Sequence, residues 1–342
     1  MTQLPAVELH LHIEGTLEPE LIFELAARNG MALPYASIDE LREQYEFQDL
    51  QSFLDLYYSN MAVLRTEQDF ADMTRAYLAR AATAGVRHVE IMMDPQAHTS
   101  RGVPLKVCLD GIASALTDSE DEFGISSGLI AAFLRDQPVA DALAVLEELL
   151  AMQAPIIGIG LDSAEAGNPP GDFVALYDRA RRANLKCIAH AGEEGPPEYI
   201  RQALDLLRVD RIDHGIRCLE DEELVQRLVD EQVPLTVCPL SNVRLRAVDT
   251  LAGHPLPQLL ERGLNVSVHS DDPAYFGGYI DENLSQVRTT FGFTAGQMAL
   301  LAANGARSAF VSDARRRELL SDIDAWLHGQ SKGGPEREDA QA

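Results

Sequence analysis

Eight short runs with the two-residue period of a β-strand recur along the chain, at 6–13, 86–93, 126–133, 155–162, 185–192, 210–215, 233–240 and 265–272. Most are separated by segments with apolar residues at three- and four-residue spacing, the period of a helix, as at 139–151, 171–184, 196–208, 221–231 and 256–263. Eight strands alternating with helices predict an α/β fold of the parallel (β/α)8 TIM barrel type, with a doubly wound open sheet as the alternative. The first connection is longer than the rest. Residues 18–85 contain at least three helical segments, including LQSFLDLYYSNMAVL, and are expected to form a helical insertion over the C-terminal mouth of the barrel. No linker divides the chain, so residues 1–330 are read as one domain, and the polar, Gly-containing tail at 331–342 is expected to be disordered.

Composition narrows the partners. At 342 residues and 46% apolar content the chain can bury a sizeable core. Its formal charge of −26 opposes phosphate backbones and anionic membranes, so neither nucleic acid nor a membrane is an expected partner and a small neutral ligand fits better. The first residues, MTQLPAVELH, carry neither a basic segment nor a long apolar run, so no secretory signal is expected. Cys108, Cys187, Cys218 and Cys238 lie far apart and form no Cys-x-x-Cys, which predicts free thiols and a cytoplasmic location. Composition leaves the oligomeric state open, a homo-oligomer being compatible with it.

The chemistry-bearing residues fall at strand ends. In VELHLHIEG the strand period puts His10 and His12 on one face. The fifth run ends HAGEEG, with His190 and Glu193; the sixth ends DHG, with His214; the eighth ends HSDDP, with His269, Asp271 and Asp272. Taken singly, each is as well explained by an ordinary buried hydrogen-bond partner or a helix cap. In a barrel, however, these strand ends converge on one mouth. His10, His12, His190 and Asp271 then supply three imidazole nitrogens and a carboxylate, a set that suits Zn²⁺ and leaves room for a water, with Fe²⁺ allowed by the same ligand types. One ion per chain is expected, because two-metal barrels often use a bridging lysine and none of Lys106, Lys186 and Lys332 ends a strand. Glu193 and His214 remain as acid–base candidates and Asp272 as an orienting or proton-accepting group. His269 is read as structural or as an outer support of the metal. His88, His98, His254 and His328 have no motif context.

Together, HLHIEGT, HAGEEGPPEY, RIDHG and SDDP resemble the adenosine/adenine deaminase family of the amidohydrolase superfamily, from about residue 6 to about residue 310. The resemblance implies a (β/α)8 barrel with one zinc per subunit. Carried over residue by residue, it implies His10, His12, His190 and Asp271 as ligands, Glu193 as proton donor, His214 as catalytic histidine and Asp272 as a substrate-contacting aspartate. Glu14 stands where adenosine deaminases usually carry Asp. EGTLEPELIF, GLDSAEAGNPP, VCPLSNVRL and SDDPAYFGGY resemble the adenine deaminase branch. Glu14 is therefore expected to reach into the mouth, where a ribose would otherwise lie. Two departures bear on the substrate. His269 replaces a common Asn, and Met92–Met93 replace expected aromatics, which would widen the pocket toward N6-substituted adenines.

The resemblance implies zinc-dependent hydrolysis of adenine to hypoxanthine and ammonia, a purine-salvage reaction. Adenosine, N6-substituted adenines and an unrelated amide are the alternative substrates, and a silent purine sensor is the non-enzymatic one. The other zinc deaminase design, His-x-Glu with Pro-Cys-x-x-Cys, is missing, since Cys238–Pro239 is followed by no such pair.

Overall fold

The structure, a computed structural model, describes residues 3–332. Its strands are β1 (Ala6–His12), β2 (Val86–Met93), β3 (Ser126–Leu134), β4 (Ile156–Asp162), β5 (Lys186–Ala191), β6 (Arg211–His214), β7 (Pro234–Val237) and β8 (Asn265–Val268). They pair in parallel in chain order, so no strand order reverses as it does in a doubly wound sheet. A parallel bridge between Leu11 and Asp271 joins the last connection to the first strand. The Asp271 N–H donates to His10 O at 3.0 Å and the His12 N–H to Asp271 O at 3.1 Å. The barrel is thus closed, and both faces of its strands are buried, which is why β3 and β4 read as almost continuous apolar runs.

His269 belongs to this seam. Its Nδ1 accepts the Leu9 N–H at 3.1 Å in place of a peptide carbonyl, and Nε2 lies 2.7 Å from Ser267 Oγ. The structural reading of His269 agrees with this position. β7 and β8 are shorter than the 233–240 and 265–272 runs. Pro239 opens the helix Pro239–Arg244, where its missing N–H costs nothing, and Ser270–Asp272 turn toward the helix Pro273–Phe276.

The barrel interior is not wholly apolar. Arg211 and Glu90 are both fully buried, with Nη1 2.8 Å from Oε2, and Arg211 Nη2 donates to Leu9 O at 3.1 Å. Phe310 covers the guanidinium, 4.6 Å from its ring centroid. Arg211→Met should lower the unfolding free energy by about 3–5 kcal/mol, because it strands the Glu90 charge in a dry interior. The shift in urea midpoint measures this. Pairing it with Glu90→Met should recover most of the loss, and a single variant as stable as the parent would contradict the account.

The long first connection folds as α1 (Pro19–Arg28), α2 (Ile38–Arg42), α3 (Leu50–Asn60) and α4 (Glu67–Thr83). Asp49 and Ser52 cap α3, and Thr66 and Asp69 cap α4, each reciprocally. Leu50, Phe53, Leu54 and Tyr57 are buried along α3. Phe53 packs against Phe276 (ring centroids 4.6 Å apart) and Tyr57 against Tyr275 (5.7 Å), in the segment that follows Asp272. The last element of the described residues is a helix, Asp313–Lys332. The tail expected to be disordered from 331 is therefore helical at 331–332, and 333–342 lie outside the described residues. Among the described residues, no helix is long and apolar enough to cross a membrane, and the four cysteines are unpaired and buried.

Candidate active site

Apart from His269, the residues singled out at strand ends meet at the C-terminal mouth. Three imidazoles turn Nε2 toward it. His10 Nδ1 lies 3.1 Å from the Thr236 carbonyl, which only accepts, so the ring proton is on Nδ1 and the lone pair on Nε2. His12 Nδ1 faces the carboxylates of Asp162 (3.4 Å) and Asp94 (3.7 Å), and His190 Nδ1 faces Asp213 (3.4 Å). His190 Nδ1 and the Asp162 oxygens make no hydrogen bond among the described residues, and these carboxyl groups stand where the outer partners of metal-bound histidines stand.

The Nε2 atoms converge. His10 and His190 approach to 3.1 Å and His12 and His190 to 3.3 Å, while Asp271 Oδ1 is 3.2 Å from His10 and 3.6 Å from His12. Lone pairs this close repel one another unless a cation lies among them. A tetrahedral ion with bonds of 2.0–2.1 Å would need donor separations of about 3.3 Å, so the four residues fit zinc. The surrounding charge fits it as well. Burial raises the carboxyls of Asp94, Asp162 and Asp272 well above the ordinary range, and neighbouring carboxylates push them further. Burial acts the same way on Asp271, but the imidazoles of His10, His214 and His12 outweigh it and hold this carboxyl well below that range.

Glu193 is buried beside these donors. Burial, then the charges of Asp271 and Glu165, holds its carboxyl well above the ordinary range. Its loop is clamped by Glu165, whose carboxylate accepts the N–H groups of Gly192, Glu193, Glu194 and Gly195 at 2.7–3.0 Å. His214 Nε2 lies 3.4 Å from Glu193 Oε2 and 3.9 Å from Asp271 Oδ2. Its donor atom is within 4.8 Å of those of His10, His190 and Asp271, so distance alone would admit it as a ligand. Asp272 lines the cavity, and its Oδ1 has no hydrogen-bond partner among the described residues. A Cβ on Gly15 would sit 2.0 Å from that oxygen, so only glycine lets β1's exit pass so close to it.

A cavity opens above these groups. His12, His190, Glu193, His214, Asp271 and Asp272 form its polar side, and Leu50, Phe53, Leu54 and Tyr57 its roof. Glu14 is not at its wall. Its Oε1 is taken by His98 Nε2 at 2.7 Å and the Asp94 N–H at 3.2 Å, and Asp94 is the carboxylate that lines the cavity there. Glu14 as a direct substrate contact is corrected accordingly: it braces the end of β2. Met92 and Met93 do not line the cavity either. Met92 packs inside the barrel with Ile130, Ala132 and Ile188, and Met93 joins the main core. The pocket's width is therefore set by α3 and not by the methionine pair.

Sequence reasoning missed Asp94, Asp162, Asp213, Glu165 and Asn242. Asp94 and Asp162 follow or end β2 and β4, so the strand-end rule that found the other groups applied to them too. Asp213 gives no such signal, because strand alternation assigns it and His214 to opposite faces. The structure brings both to the site, since His214 adopts φ +61°. Asp271, at φ +65°, likewise brings itself and Asp272 to one cavity. Non-glycine residues in this left-handed region cost about 1–3 kcal/mol and concentrate at functional sites.

The family described as adenosine deaminase matches residues 5–326. The chain is 55% identical over 325 residues to an adenine deaminase of Streptomyces coelicolor, covering 94% of this chain and 96% of that one. Among solved structures it resembles an adenine deaminase from Arthrobacter aurescens, at 68% identity and TM-score 0.95, covering 95% of this chain and 99% of that one. It also resembles an amidohydrolase from Burkholderia ambifaria solved with bound Zn, at 30% identity and TM-score 0.87, covering 96% and 92% of the two chains.

Proposed function

This chain belongs to the adenosine deaminase family, and on that premise we propose that it hydrolyses free adenine to hypoxanthine and ammonia with one zinc ion per chain. The observation that carries the reading is the cavity itself. Three of the four converging donors, His12, His190 and Asp271, and a buried glutamate share one side of a space whose roof is apolar and aromatic. A flat heteroaromatic base suits that roof, and the relatives named adenine deaminase support the same substrate.

His10, His12, His190 and Asp271 would hold the ion. When bound, zinc supplies Lewis acidity strong enough to bring the pKa of a water from 15.7 to about 7. Glu193 works on the substrate. Attack of oxygen at C6 ends the ring's aromaticity, and N1 must gain a proton as that carbon becomes tetrahedral. The protonated Glu193 gives it. His214 orients the attacking oxygen, and Asp272, whose buried oxygen is unpartnered, would be ionised with a cation beside it to offset the neighbouring carboxylates and would take up that oxygen's proton. Collapse at C6 breaks the bond to the amino group, which takes the proton held by Asp272 and leaves as ammonia; the other proton of the water restores Glu193, and the ring is left as hypoxanthine with its C6 carbonyl and N1–H. Four buried, unpaired cysteines suit a reducing compartment, so we assign the enzyme to the cytoplasm.

A substrate panel on zinc-replete protein tests the reading. Ammonia release should be fastest, per kcat/KM, with adenine, and slower with adenosine, N6-methyladenine and an N6-prenylated adenine. Turnover of simple amides without release of ammonia from any aminopurine would replace it with a general zinc amidohydrolase.

A further inference from the structure

One chain of hydrogen bonds enters the cavity from the loop after Leu251–Gly253, and elementary donor rules decide its direction at every link. The Leu256 N–H lies 3.1 Å from His254 Nδ1. A backbone N–H only donates, so Nδ1 accepts and the neutral ring carries its proton on Nε2. Burial keeps that ring neutral, holding its pKa down to about 4. His254 Nε2 lies 3.1 Å from Asn242 Oδ1 and must donate to it, which fixes the orientation of the amide. Both hydrogens of Asn242 Nδ2 are then aimed inward, at Glu193 Oε1 (3.0 Å) and His214 Nδ1 (3.2 Å). Asn242 is fully buried and His254 nearly so, so water does not compete for these bonds.

We propose that Asn242, oriented by His254, is a positioning residue that sets His214 as its Nε2–H tautomer and occupies Glu193 Oε1, reserving Oε2 for the substrate. The consequences reach both partners. With Nδ1 accepting, His214 has no lone pair on Nε2. It cannot join His10, His12 and His190 as a metal donor despite its proximity, and it faces the reacting oxygen as a hydrogen-bond donor. Glu193 is left with Oε2, the oxygen 3.4 Å from His214 Nε2, to meet the substrate. The inference rests on the roles proposed above for His214 and Glu193, whereas the tautomer itself follows from the hydrogen bonds alone.

Zinc-loaded protein labelled with ¹⁵N at histidine provides the test. Long-range ¹H–¹⁵N spectra, with His214 assigned by its loss in His214→Asn, should show a protonated Nε2 and a bare Nδ1. Asn242→Asp keeps the shape but presents an oxygen to Nδ1. It should move the His214 proton to Nδ1 and lower kcat about 10–100-fold, the usual loss when an outer partner is removed, with KM and zinc content little changed. His254→Leu, which frees the amide to turn, should give a mixture of tautomers and a smaller loss of kcat. A wild-type His214 protonated on Nδ1 would overturn the proposal. So would an Asn242→Asp enzyme with unchanged kcat and tautomer. If Asn242→Asp does not fold, the wild-type spectrum and His254→Leu decide the matter. If adenine proves not to be the substrate, the tautomer spectra still do, so the two readings fail separately.

Discussion

Asp271→Ala and His10→Ala should each emerge from purification without zinc and without deaminase activity. Wild-type protein should hold about one zinc per chain by elemental analysis, the number a single four-donor site binds. The expected loss exceeds the 10–100-fold that follows removal of an outer partner, because these side chains supply the donor atoms themselves. In Asp271→Ala the barrel seam should survive, since that residue's bridge to β1 uses only its backbone. The side chain's other bond, from Ser241 Oγ at 2.6 Å, is lost without leaving a buried charge. A folded variant that retains full zinc occupancy would remove its residue from the donor set.

Glu193→Gln should deaminate adenine more slowly by at least the 10²–10⁴-fold typical of general acid–base groups, with zinc content unchanged. Glutamine keeps the shape, accepts the Asn242 bond now made to Oε1, and can still donate a hydrogen bond to N1. It cannot transfer a proton there. The loss should therefore appear in kcat, with binding of adenine preserved. Loss of zinc from this variant would make Glu193 part of the metal shell. Near-normal turnover would take it out of the mechanism, and with it the explanation of how an aromatic ring becomes open to attack.

Local periodicity was enough to read most of the barrel. Strand and helix patterns are properties of a few consecutive residues, so the eight runs match the eight strands closely, and 139–151 coincides with the helix Val139–Ala151. The four proposed metal donors and Glu193 were legible for a related reason. A parallel barrel brings every strand's C-terminal end to one mouth, so strand-end position in the sequence already carries spatial information. The same logic applied without distinction to Asp94 and Asp162, but a single Asp at a strand end looks like a helix cap until His12 is seen 3.4–3.7 Å away.

What tertiary structure alone decided falls into two kinds. The first is local backbone choice against the alternation rule. His214 and Asp271 sit at positive φ, so the adjacent pairs Asp213–His214 and Asp271–Asp272 face one cavity where the strand period would split them. No property of those side chains announces this, because the strain is sustained by the packing around it. The second is the set of partners distant in sequence. Glu14 reads as a substrate contact until His98 is found on its carboxylate. His254 reads as an idle histidine until Asn242 is found between it and Glu193 and His214. Ionisable and amide side chains take their chemistry from whatever burial places against them, and the sequence by itself determined which such groups reach the mouth of the barrel, whereas only the closed fold determined which of them touch.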